Sequence, residues 1–408
     1  MTMQTFTGRE YLKIDIANNY GLDKKSWDER IAWFDQNEPF FSSMLVNLTN
    51  QAEEPALFYA GVKAWKDVQA GKPIGYMVSL DATSSGLQIL AALTGDRHAA
   101  ELCNVVDTGS REDAYTAIYN EMIRRTGGKA KISRDDTKQA IMTSLYGSTA
   151  MPKAVFGEGA LLQVFYDTMN DHAPGAWELN QAMLGFWDPT AIAYHWVMPD
   201  NFHVHTKVMD TITETVNFLE EPFETHYRVN QPMEQGRSLG ANMVHSIDGL
   251  IVREIVRRCD YDRTQISKVE HAVQAALSGA GNNRAITEND KAVLRLWNLY
   301  QESGYLSARI LDHLELENIG HVDAAVIAEL LGTLPSKPFH VVPVHDCFRC
   351  LPNYGNDLRE QYNLQLAMIA NSRMLEDLLT QIVGKPIVIG KLDNTLAFDI
   401  LTTNYALS

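Results

Sequence analysis

The run from Phe339 to Pro352, FHVVPVHDCFRCLP, constrains this chain more than any other stretch. An apolar segment, Val341 to Val344, ends in His345-Asp346 and turns back through Cys347-Phe348. That is the pattern of a β-hairpin with a carboxylate at its tip. A carboxylate held there is costly unless it meets something cationic, and two such carboxylates bind a divalent metal. Asp81 is the candidate second. In GYMVSLDATSSGLQ it follows a short apolar strand, Tyr76 to Leu80, and precedes a helix. Each aspartate alone also fits an ordinary turn or helix-cap residue. Two strand-end aspartates so far apart in sequence suggest one two-metal site on a shared sheet.

A third segment, Ser133 to Gly147, reads SRDDTKQAIMTSLYG. Ser133 is a good N-cap, and Asp136 three residues on completes a capping-box pattern. From there Arg134, Lys138, Ile141 and Leu145 fall on one helical face. Two cations four residues apart repel each other and add nothing to an isolated helix. They suit a polyanion such as a triphosphate, where Arg gives a forked contact and Lys a point charge. Tyr146-Gly147 ends the helix with a planar, hydrogen-bonding side chain. Taken alone, the segment also reads as a solvated basic face.

Asp, then R-xxx-K-xxxxxxx-YG, then HD, in that order, resembles the right-hand polymerases, and the chain resembles the single-subunit RNA polymerases of phages and mitochondria. SLDATSSGLQILAAL resembles their motif A, SRDDTKQAIMTSLYGS motif B and VPVHDCFRCLP motif C. Further counterparts run from Tyr11 to Phe34, Ala56 to Val62, Tyr194 to Val204 and Ala241 to Gly249. The end, DILTTNYALS, resembles the family's short C-terminal foot. The resemblance implies an α/β fold (α+β, mostly helical), with a right-hand polymerase palm and fingers around an antiparallel palm sheet. It implies that Asp81, Asp346 and the Ala82 carbonyl hold two Mg²⁺ ions. Lys138 would contact the phosphates and protonate the leaving group, and Arg134 would clamp the β and γ phosphates. Tyr146, followed by Gly147, would stack at the nucleotide site and help select ribose. His245 would contact the primer terminus or nascent pair, and His345 precedes the metal-binding aspartate. His203 and His205, an H-x-H pair, read as structural residues of a strand.

The formal charge of −16 is the main objection to a nucleic-acid enzyme. Contacts are local, however. Arg124, Arg125, Lys129, Lys131, Arg134 and Lys138 face only Asp135 and Asp136 within their stretch, and Arg253, Arg257 and Arg258 follow VHSIDG on an expected helix. These basic residues fall where the family meets phosphates. The overall acidity still predicts weak non-specific DNA binding. No apolar run is long enough to span a membrane and no signal-peptide pattern opens the chain; the cysteine usage fits a reducing cytoplasm, and the resemblance to phage enzymes implies that of the host bacterium. Four cysteines give no disulfide framework. Cys347-Phe348-Arg349-Cys350 fits C-x-x-C but lacks a second ligand pair at zinc spacing.

The expected organisation is a first palm part over 1–109, mainly helical fingers over 110–240 that carry motif B and a shortened specificity hairpin at 207–236, and a second palm part over 241–408. A helical insertion at about 260–335 holds helices near Ile266 to Leu277, Glu288 to Glu302 and Val322 to Leu331, packed as a local subdomain. Gly-rich breaks fall at 126–128 and 278–283. Thr5 to Arg9 fits the letters of the family's hybrid-holding motif without its usual connection to the palm. The family's thumb and N-terminal promoter region have no counterpart. This implies a second polymerase subunit that supplies them, as in the heterodimeric enzymes of N-four-like podoviruses, with this chain the larger, catalytic subunit. Residues 207–236 stand where the family has its promoter-reading hairpin. They are short and acidic, and carboxylates repel phosphate. Duplex promoters would then need a recruitment factor, or a template already single-stranded and held by a single-stranded DNA-binding protein.

The function implied is DNA-directed RNA synthesis from NTPs on a DNA template. A DNA polymerase of the same superfamily would usually carry a Glu soon after the motif A Asp, and an aromatic four residues after Lys138. This chain has SSGLQ and Met142. A catalytically inactive palm serving as an assembly module is the non-enzymatic alternative, and intact Asp81, Lys138, Tyr146 and Asp346 argue against it.

Overall fold

The computed structural model describes residues 2–279 and 286–408. The described chain is mostly helical, with seven strands in three small antiparallel sheets: β1 (Val78–Asp81), β2 (Ala193–Val197), β3 (His203–Lys207), β4 (Met209–Phe218), β5 (Glu221–Asn230), β6 (Val342–Val344) and β7 (Cys347–Cys350). No described helix is long and apolar enough to cross a membrane.

The sheet β1-β7-β6 joins the two ends of the chain. Asp81 is paired with Cys347, and Cys347 with Val344 across the tip, so Asp81 and the His345-Asp346 turn share one end of the sheet. Strand alternation sends Val78, Leu80, Phe348 and Cys350 into the core and leaves Asp81, Cys347 and Arg349 on the opposite face. The two cysteines of the C-x-x-C thus point to opposite faces. Residues 406–408 extend the sheet beyond β1. Asp81 N–H donates to Ser408 O at 3.2 Å, Ser408 N–H to Asp81 O at 2.9 Å, and Thr83 N–H to Ala406 O at 3.2 Å.

Behind the sheet runs the helix Ser85–Thr94, buried at every residue from Gly86 to Thr94. A helix apolar all round belongs in an interior, and the helices Ser238–Cys259 and Gly355–Asn371 pack against it. Its one amide, Gln88, is fully used. Nε2 donates to Thr83 Oγ1 (3.0 Å), Cys103 O (3.0 Å) and Ala406 O (2.9 Å), and Oε1 accepts from the Tyr362 hydroxyl (2.6 Å).

Between 110 and 240 the chain is helical only as far as Gly185. Five helices from Ala114–Arg125 to Pro174–Gly185 are followed by the β2–β3 and β4–β5 hairpins. Their alternating β-branched and polar residues favour strands, and β4–β5 lies within the 207–236 stretch expected to hold a hairpin. His203 and His205 stand on β3 beside His195. The insertion forms helices Arg263–Leu277, Glu288–Ser303 and Ala324–Gly332 around a core of its own, as expected of a packed subdomain. Most of the Gly-rich break at 278–283 lies outside the described residues. At the N-terminal end, Thr7 caps the helix Gly8–Ala17 in a reciprocal box with Glu10, so Thr5 to Arg9 acts locally as a helix start.

The arginines after VHSIDG depart from expectation. Arg253 Nε and Arg257 Nη1 bond the fully buried Asp200 carboxylate at 2.6 and 2.8 Å, and Arg258 is buried against Gln361 and Thr333. These cations neutralise protein carboxylates and acceptors and do not form a phosphate-facing surface. Arg124 and Arg125 are likewise taken up by Glu121.

Candidate active site

One cleft of about 650 Å³ gathers the three motifs. Asp81, Ala82 and Asp346 line one wall, and Arg134, Lys138, Met142, Leu145 and Tyr146 line another. The turn that carries Asp346 is two residues long, and His345 in it sits at φ +56. That left-handed conformation is disfavoured for an L side chain and persists only where the surroundings enforce it. Here the Asp346 carbonyl accepts the Ala82 N–H at 3.1 Å, tying the tip of the hairpin to the end of β1.

The electrostatics mark the two aspartates as a pair. Asp81 is pushed up to about 6, first by desolvation in the cleft and then by the charge of Asp346. Asp248, in the HSIDG segment, rises to about 6 for the same two reasons in the same order. Like charges forced together call for a cation. Among the described residues no group of three or more His, Cys, Asp or Glu is arranged to hold a metal. A metal would therefore rest on the Asp81–Asp346 pair, the Ala82 carbonyl and substrate oxygens, a donor set that suits Mg²⁺.

Motif B is the helix Arg134–Leu145. Ser133 Oγ accepts the Asp136 N–H at 3.0 Å and donates to the Asp136 carboxylate at 2.7 Å, so Ser133 is the N-cap and the hydroxyl–carboxylate bond stands in place of the reciprocal backbone bond of a full capping box. The Lys138 ammonium stands 5.4 Å from the centre of the Tyr115 ring. Tyr146 closes the helix with its ring 4.9 Å from that of His245, which is exposed. Burial, then Asp248, push the Tyr146 phenol up to about 12, so it stays a neutral donor. Gly147 has φ +84, and a Cβ there would meet Arg237 O at 2.9 Å. Arg134 is already engaged, bonding the Asp113 carboxylate and donating from Nε to Thr116 Oγ1 at 2.7 Å.

Several residues in or near the cleft escape sequence reasoning. Asp15 accepts from Ser79 N–H (2.7 Å), the Tyr76 hydroxyl (2.7 Å) and Asn19 (3.0 Å), pinning the helix Gly8–Ala17 to β1. Its signal is a lone acid in the otherwise apolar Ile14–Ala17, IDIA. Asp113 and Tyr115 hold Arg134 and Lys138 from 20 or so residues away, which no local pattern discloses. Asp248 lies one turn after His245, so its helical spacing is legible. Arg111 and Arg349 line the cleft with buried Nε atoms that have no hydrogen-bond partner among the described residues.

Residues 4–172 match the DNA-dependent RNA polymerase family. The chain is 26% identical over 300 residues to the DNA-directed RNA polymerase of Pseudomonas phage phiKMV, covering 59% of this chain and 37% of that protein. It is 31% identical over 168 residues to the mitochondrial DNA-directed RNA polymerase of Neurospora crassa, covering 35% and 12%. It is 24% identical over 376 residues to a probable DNA-directed RNA polymerase of Gelasinospora, covering 85% and 40%. The chain thus spans well under half the length of each of these relatives. Residues 4–172 thus match the DNA-dependent RNA polymerase family, and the relatives the chain is similar to are DNA-directed RNA polymerases of phage and mitochondrial type.

Proposed function

We propose that this chain is the catalytic part of a phage DNA-directed RNA polymerase, adding nucleotides from NTPs to an RNA 3′ end on a DNA template. The observation that carries the reading is the convergence of Asp81 and Asp346 on one wall with Lys138 and Tyr146 on another. Asp81, Asp346 and the Ala82 carbonyl would hold two Mg²⁺ ions, which supply charge neutralisation at the triphosphate and lower the pKa of the attacking 3′-hydroxyl.

The remaining work falls to the protein. Lys138, steadied over Tyr115, faces the leaving pyrophosphate and is placed to give it a proton. Arg134 sits at the base of the same wall. Its bond to Asp113 orients the guanidinium and leaves only part of its donor fork for β and γ phosphate oxygens. Arg111 and Arg349 add two further guanidinium groups to the lining of the cleft. Tyr146 offers a neutral hydroxyl and a ring face to the incoming nucleoside, with Gly147 giving the backbone room. His245 lies beside it, where the nascent pair forms, and His345 flanks the primer end. Gly86 stands where a DNA-synthesising relative would need an acid to exclude the 2′-hydroxyl, which favours ribonucleotides.

The finer parts of the reading concern partners. A second polypeptide supplies the N-terminal region and thumb, and a recruitment factor or single-stranded DNA-binding protein brings the template, in the host bacterial cytoplasm. The acidic character of 207–236 supports this, since that segment suits duplex DNA poorly.

The test is Mg²⁺-dependent extension of an RNA primer on a single-stranded DNA template, by the complex purified from infected cells. Extension with ribonucleotides that is lost in Asp346→Asn is the expected result. Extension with deoxyribonucleotides alone would point to a DNA polymerase, and none at all to an inactive assembly module.

A further inference from the structure

One face of the β4–β5 hairpin is apolar and uncovered. Alternation along the two strands puts Ile212, Val216, Phe218, Phe223, Tyr227 and Val229 on the same side, with Val216 opposite Phe223 and Ile212 opposite Tyr227. Threonines dominate β4 on the other side. On the apolar side Phe218 is 63% exposed and Phe223 51%. An apolar ribbon face of this kind is ordinarily buried against something, because two strands alone are marginal in water.

The apex points the same way. Leu219 and Glu220 form the two-residue turn, at φ +51 and +67. Such a turn favours Asn-Gly, which takes left-handed angles without strain. Here a strained leucine stands 81% exposed at the farthest point of the hairpin. A mere connector has no need of it.

Charge selects the occupant. Between Met209 and Asn230 five carboxylates (Asp210, Glu214, Glu220, Glu221 and Glu224) face one arginine, Arg228. Asp210, Glu214 and Glu221 lie on the apolar side itself, so the stripe is edged by negative charge at both ends and interrupted by it at Glu214. Nucleic acid would bring phosphates against these carboxylates. A second copy of this chain would bring the same acidic rim. A protein surface with an apolar centre and a basic rim complements both features.

We infer that the apolar face of β4–β5 docks a second protein, through an apolar groove on that protein rimmed by lysine and arginine. The inference rests on the polymerase reading above, in which this hairpin does not itself read duplex DNA, and it assigns the hairpin to recruitment.

The test places a photo-crosslinking p-benzoylphenylalanine at position 223 of the full chain, expressed in infected cells. The expected product is a crosslink to one other polypeptide, at a peptide flanked by basic residues, that falls at least tenfold in the Glu214→Lys/Glu221→Lys background. Crosslinks to DNA, to a second copy of the chain or to nothing would overturn the proposal, as would indifference to the charge reversal. A second arm uses Phe218→Thr/Leu219→Asn/Glu220→Gly/Phe223→Thr, which keeps a well-formed turn. That variant should extend primers on single-stranded templates as the wild type does, and lose at least tenfold in transcription from duplex DNA with the natural partners present. Equal loss in both assays would make the hairpin part of the catalytic machinery and overturn the proposal. If the wild type extends no primer, the polymerase reading falls, and the crosslink still decides whether the face docks a protein.

Discussion

A Cβ added to Gly86 would stand 2.7 Å from the Tyr146 hydroxyl and 3.2 Å from its Cζ. The glycine of motif A therefore sets where the last side chain of motif B lies, across 60 residues of sequence. Gly86→Ala must push the phenol aside. The fold should survive, since the Tyr146 ring edge faces the cleft and can tilt. A displacement of this order at a substrate-positioning residue costs up to about 10²-fold. We expect kcat/KM for ribonucleotides to fall within that range and discrimination against deoxyribonucleotides to weaken, as read by single-nucleotide extension with matched NTP and dNTP. Unchanged discrimination would remove Tyr146 from sugar selection.

Asp346→Asn should abolish metal-dependent extension, by at least about 10³-fold in kcat, because metal sites supply several kcal/mol of transition-state stabilisation. It should also relieve Asp81, whose carboxyl is held high by burial and by the Asp346 charge. A melting temperature at pH 7 equal to or above the wild type is the expected companion result. A modest loss of activity would take Asp346 out of the metal site.

Asp15, Asp81, Asp248 and Asp377 are all raised to about 6, each chiefly by burial. Unfolded carboxyls titrate near about 4. Between these values the folded state binds more protons, so metal-free stability is fullest below about pH 4 for these groups and falls as pH rises through 6. The wholly buried Asp15 alone accounts for about 3 kcal/mol of that slope. Urea denaturation from pH 4 to 7 should show the decline, and Asp15→Asn should flatten it. Mg²⁺ needs the ionised pair, so the thermal shift it gives should fade below about pH 6 and be absent in Asp346→Asn.

Burial raises Asp200, but its bonds to Arg253 and Arg257 outweigh this and hold it below the usual carboxylate range. Asp200→Ala would strip two arginines of their buried partner, which costs about 3–5 kcal/mol. Chemical denaturation should register that loss. Arg253→Gln should leave the salt dependence of nucleic-acid binding unchanged, because this arginine already faces a protein carboxylate. A reduced salt slope would return Arg253 to the phosphate surface.

The sequence makes the catalytic hairpin, the motif B helix with its Ser133 cap and the insertion helices legible because each is a local pattern. Alternation marks β6–β7 and helical spacing marks Arg134 and Lys138. What a cation faces is not local. Arg253 and Arg257, four residues apart, look alike whether they meet a phosphate or an aspartate some 50 residues away. The same holds for Asp113, which takes up Arg134, and for Asp15, which anchors β1. The β4–β5 hairpin was legible as acidic, while its single apolar face emerges only once the register pairs Val216 with Phe223.

Residues 406–408 complete the sheet at Asp81, more than 320 positions downstream of it. Arg359 adds a bond to Gln4 O at 2.7 Å, and Gln4 N–H one to Asn404 at 2.6 Å. Contacts of such separation form late, since the entropy of closing so long a loop is lost before any of them contributes. A partly folded chain can thus own a well-formed fingers helix and a finished insertion core and still lack a working centre. On the polymerase reading proposed above, activity would report on the closure of these long loops.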